Sequence, residues 1–508
     1  MLFAYNAQKV IPLESDVYSA MDTLYILEGK ALPSTTRPWT VSETEIILSK
    51  VSEETSPELY AIVEKAIGEK GRLSVDEMFD MSFKGFVSVT GYAHTDTGFV
   101  YPFNGMTNYL FKAVNEKPTF QASWEAWAGN HIYSFVWYQY KNDFDKEKFS
   151  SYHFNFDLAN LTPEGFTSDI NQREPSRAFA VVGGKGWSLE IGRDRLLMGA
   201  GVTGSLIMSD ILPYHNLLRF SAFGSRYKYS FMMSFLPHLK DDRKGLLFYM
   251  THRFECRFFS DRLTAAVNES IMYKNDNGFM DLRYVNPVMY FHNYFISDLA
   301  NSIVDIEISH SFAKGWNLYT QIAIDQFTTP WEIADGDDKD PLAMGFLMGL
   351  RYVTPVQKGI LTLNLEGAYT LPYLYLRATS IPEGSHVQDP EDPGLGYIGS
   401  YRGSRFFLGY TYGGDAVVID LKANYVVPGD WEAGAELMFM NHGEKNASSL
   451  FDKDDDSYAP SGEESHYFII ELTGKKHFEK DISVYFQYDM ILGDVSDNQF
   501  VLGVEKRF

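Results

Sequence analysis

Long runs of strict alternation constrain this chain more than any other feature. In the closing segment Phe500, Leu502, Val504, Lys506 and Phe508 fall on one side, and Val501, Gly503, Glu505 and Arg507 on the other. A β-strand sends successive side chains to opposite faces, so one face is apolar and the other polar. The pattern recurs. Ile482, Val484, Phe486, Tyr488 and Met490 oppose Ser483, Tyr485, Gln487 and Asp489, and Val304, Ile306 and Ile308 oppose Asp305, Glu307 and Ser309. Leu361, Leu363 and Leu365 oppose Thr362, Asn364 and Glu366, and Val417, Ile419 and Leu421 oppose Asp420 and Lys422. A soluble sandwich also alternates, with its apolar face against a second sheet. Two features favour lipid instead. The segments run about ten to twelve residues, enough for a tilted strand to cross a bilayer, where soluble strands are nearer five or six. Aromatic residues reach 16%, with 33 Tyr, 38 Phe and 8 Trp, which suits the two interfacial girdles of a transmembrane barrel.

Loop lengths sharpen the expectation, because such barrels have short turns at one end and long loops at the other. Short junctions fall at Gly129-Asn130, Gly183 to Gly186, Gly224-Ser225, Ser260-Asp261, Ala313 to Gly315, Pro355 to Lys358, Val427 to Asp430 and Gly474 to Glu479. Between them lie long connections at 94–116, 142–175, 198–214, 272–300, 327–341, 371–413 and 442–464. Thirteen strands fit between residues 82 and 370, and five more fit back from Phe508 if 414–426 is one strand. Taking Gly413-Gly414 as a hairpin turn would put the acidic loop 442–464 on the short-turn side, so that turn is rejected. The fold expected is mainly β: an antiparallel transmembrane barrel of about 18 strands, both ends periplasmic, in a bacterial outer membrane. The terminal Phe508 on an amphipathic strand resembles the strand that barrel-insertion machinery recognises.

Ahead of the barrel lie helix signals. Leu2-Phe3-Ala4 to Asn6-Ala7 look like the tail of a signal peptide, so residues 1–11 are read as its remnant and lead-in. Residues 12–81 read as a periplasmic bundle of three or four short helices, and 82–508 as the barrel. Ser15 is placed as a helix cap with Gly29 as stop, Ser42 with Glu45 and Ser74 with Glu77 as capping boxes, and Ser56-Pro57-Glu58 as a cap, first-turn proline and acid. This bundle has room to sit below the barrel and close its periplasmic mouth.

Charge and motifs exclude other classes. A net charge of −23 makes a poor polyanion binder, so no nucleic acid is expected. The single cysteine, Cys256, forms no intrachain disulfide and no cysteine-rich metal site. No run of 18 apolar residues marks a helical span. There is no nucleophile elbow, HExxH or P-loop, and neither a cofactor nor a metal is called for.

Polar residues on the inward faces are lumen-lining candidates: Glu366, Asp420, Lys422, Glu436, Glu471, Asp489, Glu505 and Arg507. They either line a solute path or form ordinary wall-to-wall ion pairs, since barrel interiors are polar by default. The outer loops offer Trp331, Asp335, Asp337 and Asp338, the aspartates Asp452, Asp454, Asp455 and Asp456, and the rings Tyr397 and Tyr401. Carboxylate clusters bind calcium in some loops, but the run from Asp335 has Phe346 where a twelve-residue calcium loop needs an acid. Rings at loop mouths either stack on sugars or belong to the girdle.

The stretch Gly192-Arg193-Asp194-Arg195-Leu196-Leu197-Met198-Gly199-Ala200-Gly201, then Gly204-Ser205-Leu206-Ile207-Met208-Ser209 and Pro213, resembles the capsule-assembly Wzi family. So do Ile11-Pro12-Leu13, Tyr18, Leu24, Gly29 and Arg37-Pro38, and the element Arg283-Tyr284-Val285-Asn286-Pro287. The family commonly carries Trp-Gly-Pro-Gly where this chain has Met198-Gly199-Ala200-Gly201. The resemblance implies an eighteen-stranded outer-membrane barrel with a periplasmic helical bundle. It also implies a non-enzymatic role, attaching or assembling surface polysaccharide through the outer loops. A porin-like diffusion channel is the alternative, and the fill of the lumen separates the two.

Overall fold

The computed structural model describes residues 6–68, 80–96, 117–140, 152–156, 175, 177–237, 245–275, 280, 282–286, 300–328, 340–377, 396–401, 404–479 and 481–508. Eighteen antiparallel strands close into one barrel. The first, Asp80–His94, starts two residues before the expected boundary and pairs with the last, Asp497–Arg507, from Phe86↔Arg507 to His94↔Gln499. Closure leaves no free sheet edge, as hydrocarbon demands of a spanning structure. A short strand, Tyr152–Phe154, pairs with the first strand beyond the reach of its other neighbour, Phe120–Ala128. Residues 416–427 form one strand between Gly359–Thr370 and Trp431–His442, and Gly413 instead bends the chain just ahead of it, at φ +80°. The short junctions fall at one end of the barrel, although Gly474 to Phe478, expected as a junction, continues strand Ser465–Phe478, and the strand ends that lead into the long connections lie at the other.

The apolar faces point outward. Phe254, Val267, Leu365, Ile419, Leu437, Leu502 and Val504 stand exposed on the wall. Trp187, Tyr227, Phe258, Phe259, Trp431 and Phe478 stand exposed beside the short turns, as an interfacial ring. The exterior is therefore a greasy belt with an aromatic rim and not one half of a sandwich.

Among the described residues three α-helices precede the barrel: α1 (Val17–Leu27), α2 (Val41–Leu48) and α3 (Pro57–Ile67). Ser56 caps α3 and Pro57 opens it, as the sequence signals. The other two caps differ from expectation. Asp16, with no side-chain cap bond, precedes α1, while Ser15 Oγ accepts from Val17 N at 3.3 Å. Thr40, not Ser42, caps α2, its hydroxyl accepting from Glu43 N at 3.2 Å, because the helix begins two residues earlier than the acid spacing suggests. The pair Ser74 and Glu77 lies outside the described residues.

The helical segment does not stand clear of the barrel. It packs inside it. Apolar side chains of α1 and α2 share one core with the inward wall residues Met232, Tyr249, Met272, Ile303, Tyr319 and Leu347. Thr36–Arg37 pairs as a strand with Leu197–Met198, and Gly315 N donates to Ile26 O at 2.8 Å.

Candidate functional site: a filled lumen beneath a loop platform

Buried ions fasten the helical segment to the wall. Arg253 is fully buried and meets three wall carboxylates: Glu255 at 3.1 Å, Asp305 at 3.4 Å and Glu307 at 3.1 Å. Its Nη2 also donates to Thr35 Oγ1 at 2.8 Å. Lys228 donates to Thr36 O at 2.8 Å and pairs with Glu43 at 2.6 Å. Arg219 pairs with Glu190 and donates to Pro38 O, and Arg257 donates to Leu32 O and Ala31 O. Arg37, over the rings of Tyr18 and Trp39, shares Asp22 with Arg351. Alternation on strands announces polar inward faces, but it cannot say that their partners come from residues 22–43. That pairing is long-range in sequence, and only the folded structure displays it.

From the long-loop end two connections dip into the lumen. Glu366 clasps the first. Its carboxylate accepts from Val202 N and Thr203 N, both at 2.8 Å, from Thr203 Oγ1 at 2.5 Å and from Tyr319 OH at 2.6 Å. Gly204 makes this fold possible. Its φ is +136°, and a Cβ there would strike the hydroxyl of Thr411. The second connection comprises residues 371–376 and 396–415. Tyr375 OH donates to Leu206 O at 2.6 Å, and Tyr375 N donates to Asp325 at 3.0 Å. Leu206, Met208, Tyr375, Leu408 and Tyr410 join the same core as α1 and α2.

Tyr397 lies within this filling. Its ring is buried edge-on to Tyr249, 5.9 Å away, and its hydroxyl donates to Ser270 O at 2.7 Å and Asn301 O at 3.0 Å. It therefore presents no face to solvent. Tyr401 ends the first arm of a small hairpin, Ile398–Tyr401 with Ser404–Phe407, and its side chain is outside the described residues. Trp331, Asp335, Asp337 and Asp338 also lie outside them.

The other lumen candidates lie on neighbouring strands. Lys422 pairs with Glu436 and lies 3.8 Å from Glu471. Gln487 donates to Glu471 at 2.8 Å and to Asp489 at 3.3 Å. Asp420 is buried and in register with Glu366. Glu505 lies 3.2 Å from Arg507, whose side chain is exposed at the short-turn end.

At the long-loop end residues 442–464 form a platform tied to Asp415 and Tyr373. Asp415, at φ +63°, is its hub, accepting from Ser461 N and Oγ, each at 2.7 Å, and from Lys445 N at 3.1 Å. Tyr373 OH donates to Asp455 at 2.6 Å, and its ring meets Phe451 edge-on at 5.2 Å. Leu450, Asp452, Lys453, Asp454, Asp456 and Tyr458 face solvent. The sequence had shown these aspartates, but not Tyr458 as an exposed ring, since no local pattern separates it from the girdle rings.

Burial raises the Asp455 carboxyl, but hydrogen bonds from Tyr373 and Ser457 with the Lys445 charge outweigh it and hold the group down at about 2. An unfolded aspartate titrates near 3.9. The folded value is the lower, so this attachment contributes fully above pH 4 and is lost as pH falls from 4 through 2. Limited proteolysis of the 442–464 loop is expected to accelerate across that window, and Asp455→Asn to cut as fast at pH 7 as the parent at pH 2.

Among the described residues, no three His, Cys, Asp or Glu side chains are arranged to hold a metal ion. His215 Nδ1 lies 3.0 Å from Ser234 Oγ, but both are buried in the wall, which gives a substrate no approach.

A closed eighteen-strand cylinder with an apolar exterior, an aromatic rim and a polar, filled interior has the fold of an outer-membrane β-barrel. Comparison with solved structures agrees. The chain is similar to Wzi of Escherichia coli, described as an outer membrane protein involved in group 1 capsule assembly and a carbohydrate-binding β-barrel. The TM-score is 0.62 at 13% identity, covering 98% of this chain and 99% of that one. Weaker likenesses are to OprD of Pseudomonas aeruginosa, with TM-score 0.41, 10% identity and 84% and 95% of the chains covered, and to an anion-selective porin from Comamonas acidovorans, with 0.35, 10%, 85% and 100%. No protein-family model and no curated protein sequence matches the chain.

Proposed function

We propose that this protein attaches or assembles surface polysaccharide at its long-loop end, without catalysis. In this reading the short-turn end and the C-terminus face the periplasm, the helical segment fills the barrel from that side, and insertion machinery engages the strand ending at Phe508. One observation carries the choice of an anchor over a channel: the helices and two inward connections share a continuous core with the wall. A diffusion channel needs an aqueous path, and among the described residues the helices and both connections fill the interior with this shared core. The likeness to a carbohydrate-binding barrel supports the same reading. The platform offers Tyr458 as an exposed ring among carboxylates, beside the sequence candidates Trp331, Asp335, Asp337, Asp338 and Tyr401. Because the surface is acidic, a neutral or zwitterionic glycan fits it directly, and an anionic one requires bridging divalent cations.

Two measurements test this. Purified protein in a planar bilayer is expected to be electrically silent, and large steady openings would restore the porin reading. Binding to immobilised surface polysaccharide is expected to fall about two- to tenfold in Tyr458→Ala, the range of one aromatic contact. Unchanged binding would remove this ring from the site.

A further inference from the structure

One side of the barrel is not built like the rest of the wall. On strand Leu246–Phe258 the odd positions face the lumen, where Arg253 and Glu255 meet the helical segment, so the even ones face out. Phe254 and Phe258 are 50% and 45% exposed, as lipid-facing residues should be, but Phe248 and Met250 are at 0% and 1%. Adjacent strands repeat the change. Lys228 faces in, so Phe231 and Met233 face out, and they are 7% and 4% exposed. Ser270 faces in, bonded to Thr251, so Ile271 and Tyr273 face out, yet they are 0% and 1% exposed. These outward residues form a separate core with Tyr284, against which Met280 and Val285 pack.

The cover comes from the connection after strand Leu263–Asn275. Its one-turn helix, Leu282–Val285, lays Tyr284 edge-on against Tyr273 at 5.5 Å. The ring of His252, itself outward, pins it: one nitrogen lies 2.9 Å from Tyr284 O and the other 2.8 Å from Tyr229 OH. A nitrogen facing a carbonyl must donate, which leaves the other to accept from Tyr229. Met280 and the one-turn helix therefore lie on the outside of the barrel.

Depth decides what meets this cover. His252 is six positions from Phe258 at the aromatic rim, about 20 Å of strand at about 3.3 Å per residue. At a tilt of about 40° that is about 15 Å of height, inside an apolar band about 25 Å tall. A water-facing loop would not reach so far down. Leu282, two residues before Tyr284, is 73% exposed, and Arg283 and Asn286 on the same turn are exposed as well.

We propose that Leu282–Val285 is a membrane-embedded flap, with Leu282 against the acyl chains of the leaflet at the long-loop end. The flap covers an apolar stretch of wall whose polar groups are the His252 ring and the Tyr229 hydroxyl. It shelters the imidazole of His252, a group that open wall would expose to hydrocarbon. The inference goes beyond glycan attachment and rests only on the belt being in lipid.

The test uses the full chain with Cys256→Ser and one new cysteine carrying a nitroxide, in lipid vesicles. Leu282→Cys is the probe, Phe254→Cys the wall control and Tyr458→Cys the aqueous control, with gel heat-modifiability showing that each is folded. The expected result is a Leu282 label relaxed by oxygen, which partitions into bilayers, as strongly as the Phe254 label, and at least tenfold less by a water-soluble nickel chelate than the Tyr458 label. Relaxation by the chelate at Leu282 would overturn the proposal, placing the flap in water. Protection from both agents would also overturn it, placing protein, such as a second copy of this chain, on that face. Chelate access at Phe254 would instead remove the membrane reading itself.

Discussion

Replacing Arg253 with leucine is expected to destabilise the protein by about 3–5 kcal/mol, the cost of breaking a buried ion cluster from one side. The guanidinium has three buried carboxylates within 3.4 Å and donates to Thr35 of the helical segment. Without it Asp305 and Glu307 lose their cation and Glu255 keeps only the charge of Lys228, and a buried unpaired charge is far costlier than the pair is beneficial. A control separates charge from packing. Adding Asp305→Asn and Glu307→Gln to Arg253→Leu is expected to recover at least half of the loss, since the carboxylates were the source of the penalty. Reversible urea unfolding in detergent micelles measures both. A loss under about 1 kcal/mol for the single variant would show that the cluster is hydrated, and the plug loosely held.

The barrel was legible because its code is local. Period-two alternation, as in Phe500 to Phe508, needs only neighbouring residues to declare which face meets lipid, and short junctions such as Gly129-Asn130 declare the turns. The flap shows where the same code falls short. Phe231, Met233, Phe248, Met250, Ile271 and Tyr273 alternate as lipid-facing residues should, and they do face out, but chain and not hydrocarbon covers them. Alternation reports that a face is apolar, never what lies against it. The same limit hid the lumen's filling. Glu366 was recognisable as inward, but its partners Val202 and Thr203 lie 164 and 163 residues away in a connection whose pattern advertises only glycine flexibility. Tyr397 failed as a surface ring for the same reason, since the carbonyls it reaches, at Ser270 and Asn301, belong to distant strands.

The second large effect is expected at Glu366. This carboxylate gathers two backbone N–H groups and the hydroxyls of Thr203 and Tyr319, and all but Val202 N lie in buried surroundings. The two hydroxyls keep Asn364 and Tyr410 as partners, but Thr203 N is left buried without an acceptor, so Glu366→Ala is expected to cost about 1–3 kcal/mol. The loss should be local. The Arg253 cluster and the ladder of wall hydrogen bonds do not depend on Glu366, whereas the connection carrying Val202 and Thr203 is tied to the wall there. Loosening it leaves the second inward connection and the helical segment as obstructions, so the variant in a planar bilayer is expected to show brief, noisy openings where the parent is silent. Glu366→Gln keeps one acceptor oxygen but turns an NH2 toward donors, and it should fall between the two in both readings. A stable, silent Glu366→Ala protein would mean that the inward connection is held by its apolar residues, Leu206 and Met208, and that the carboxylate is a passenger. The two measurements must move together if the clasp keeps the lumen shut, because the same bonds that stabilise the connection also hold it inside the barrel.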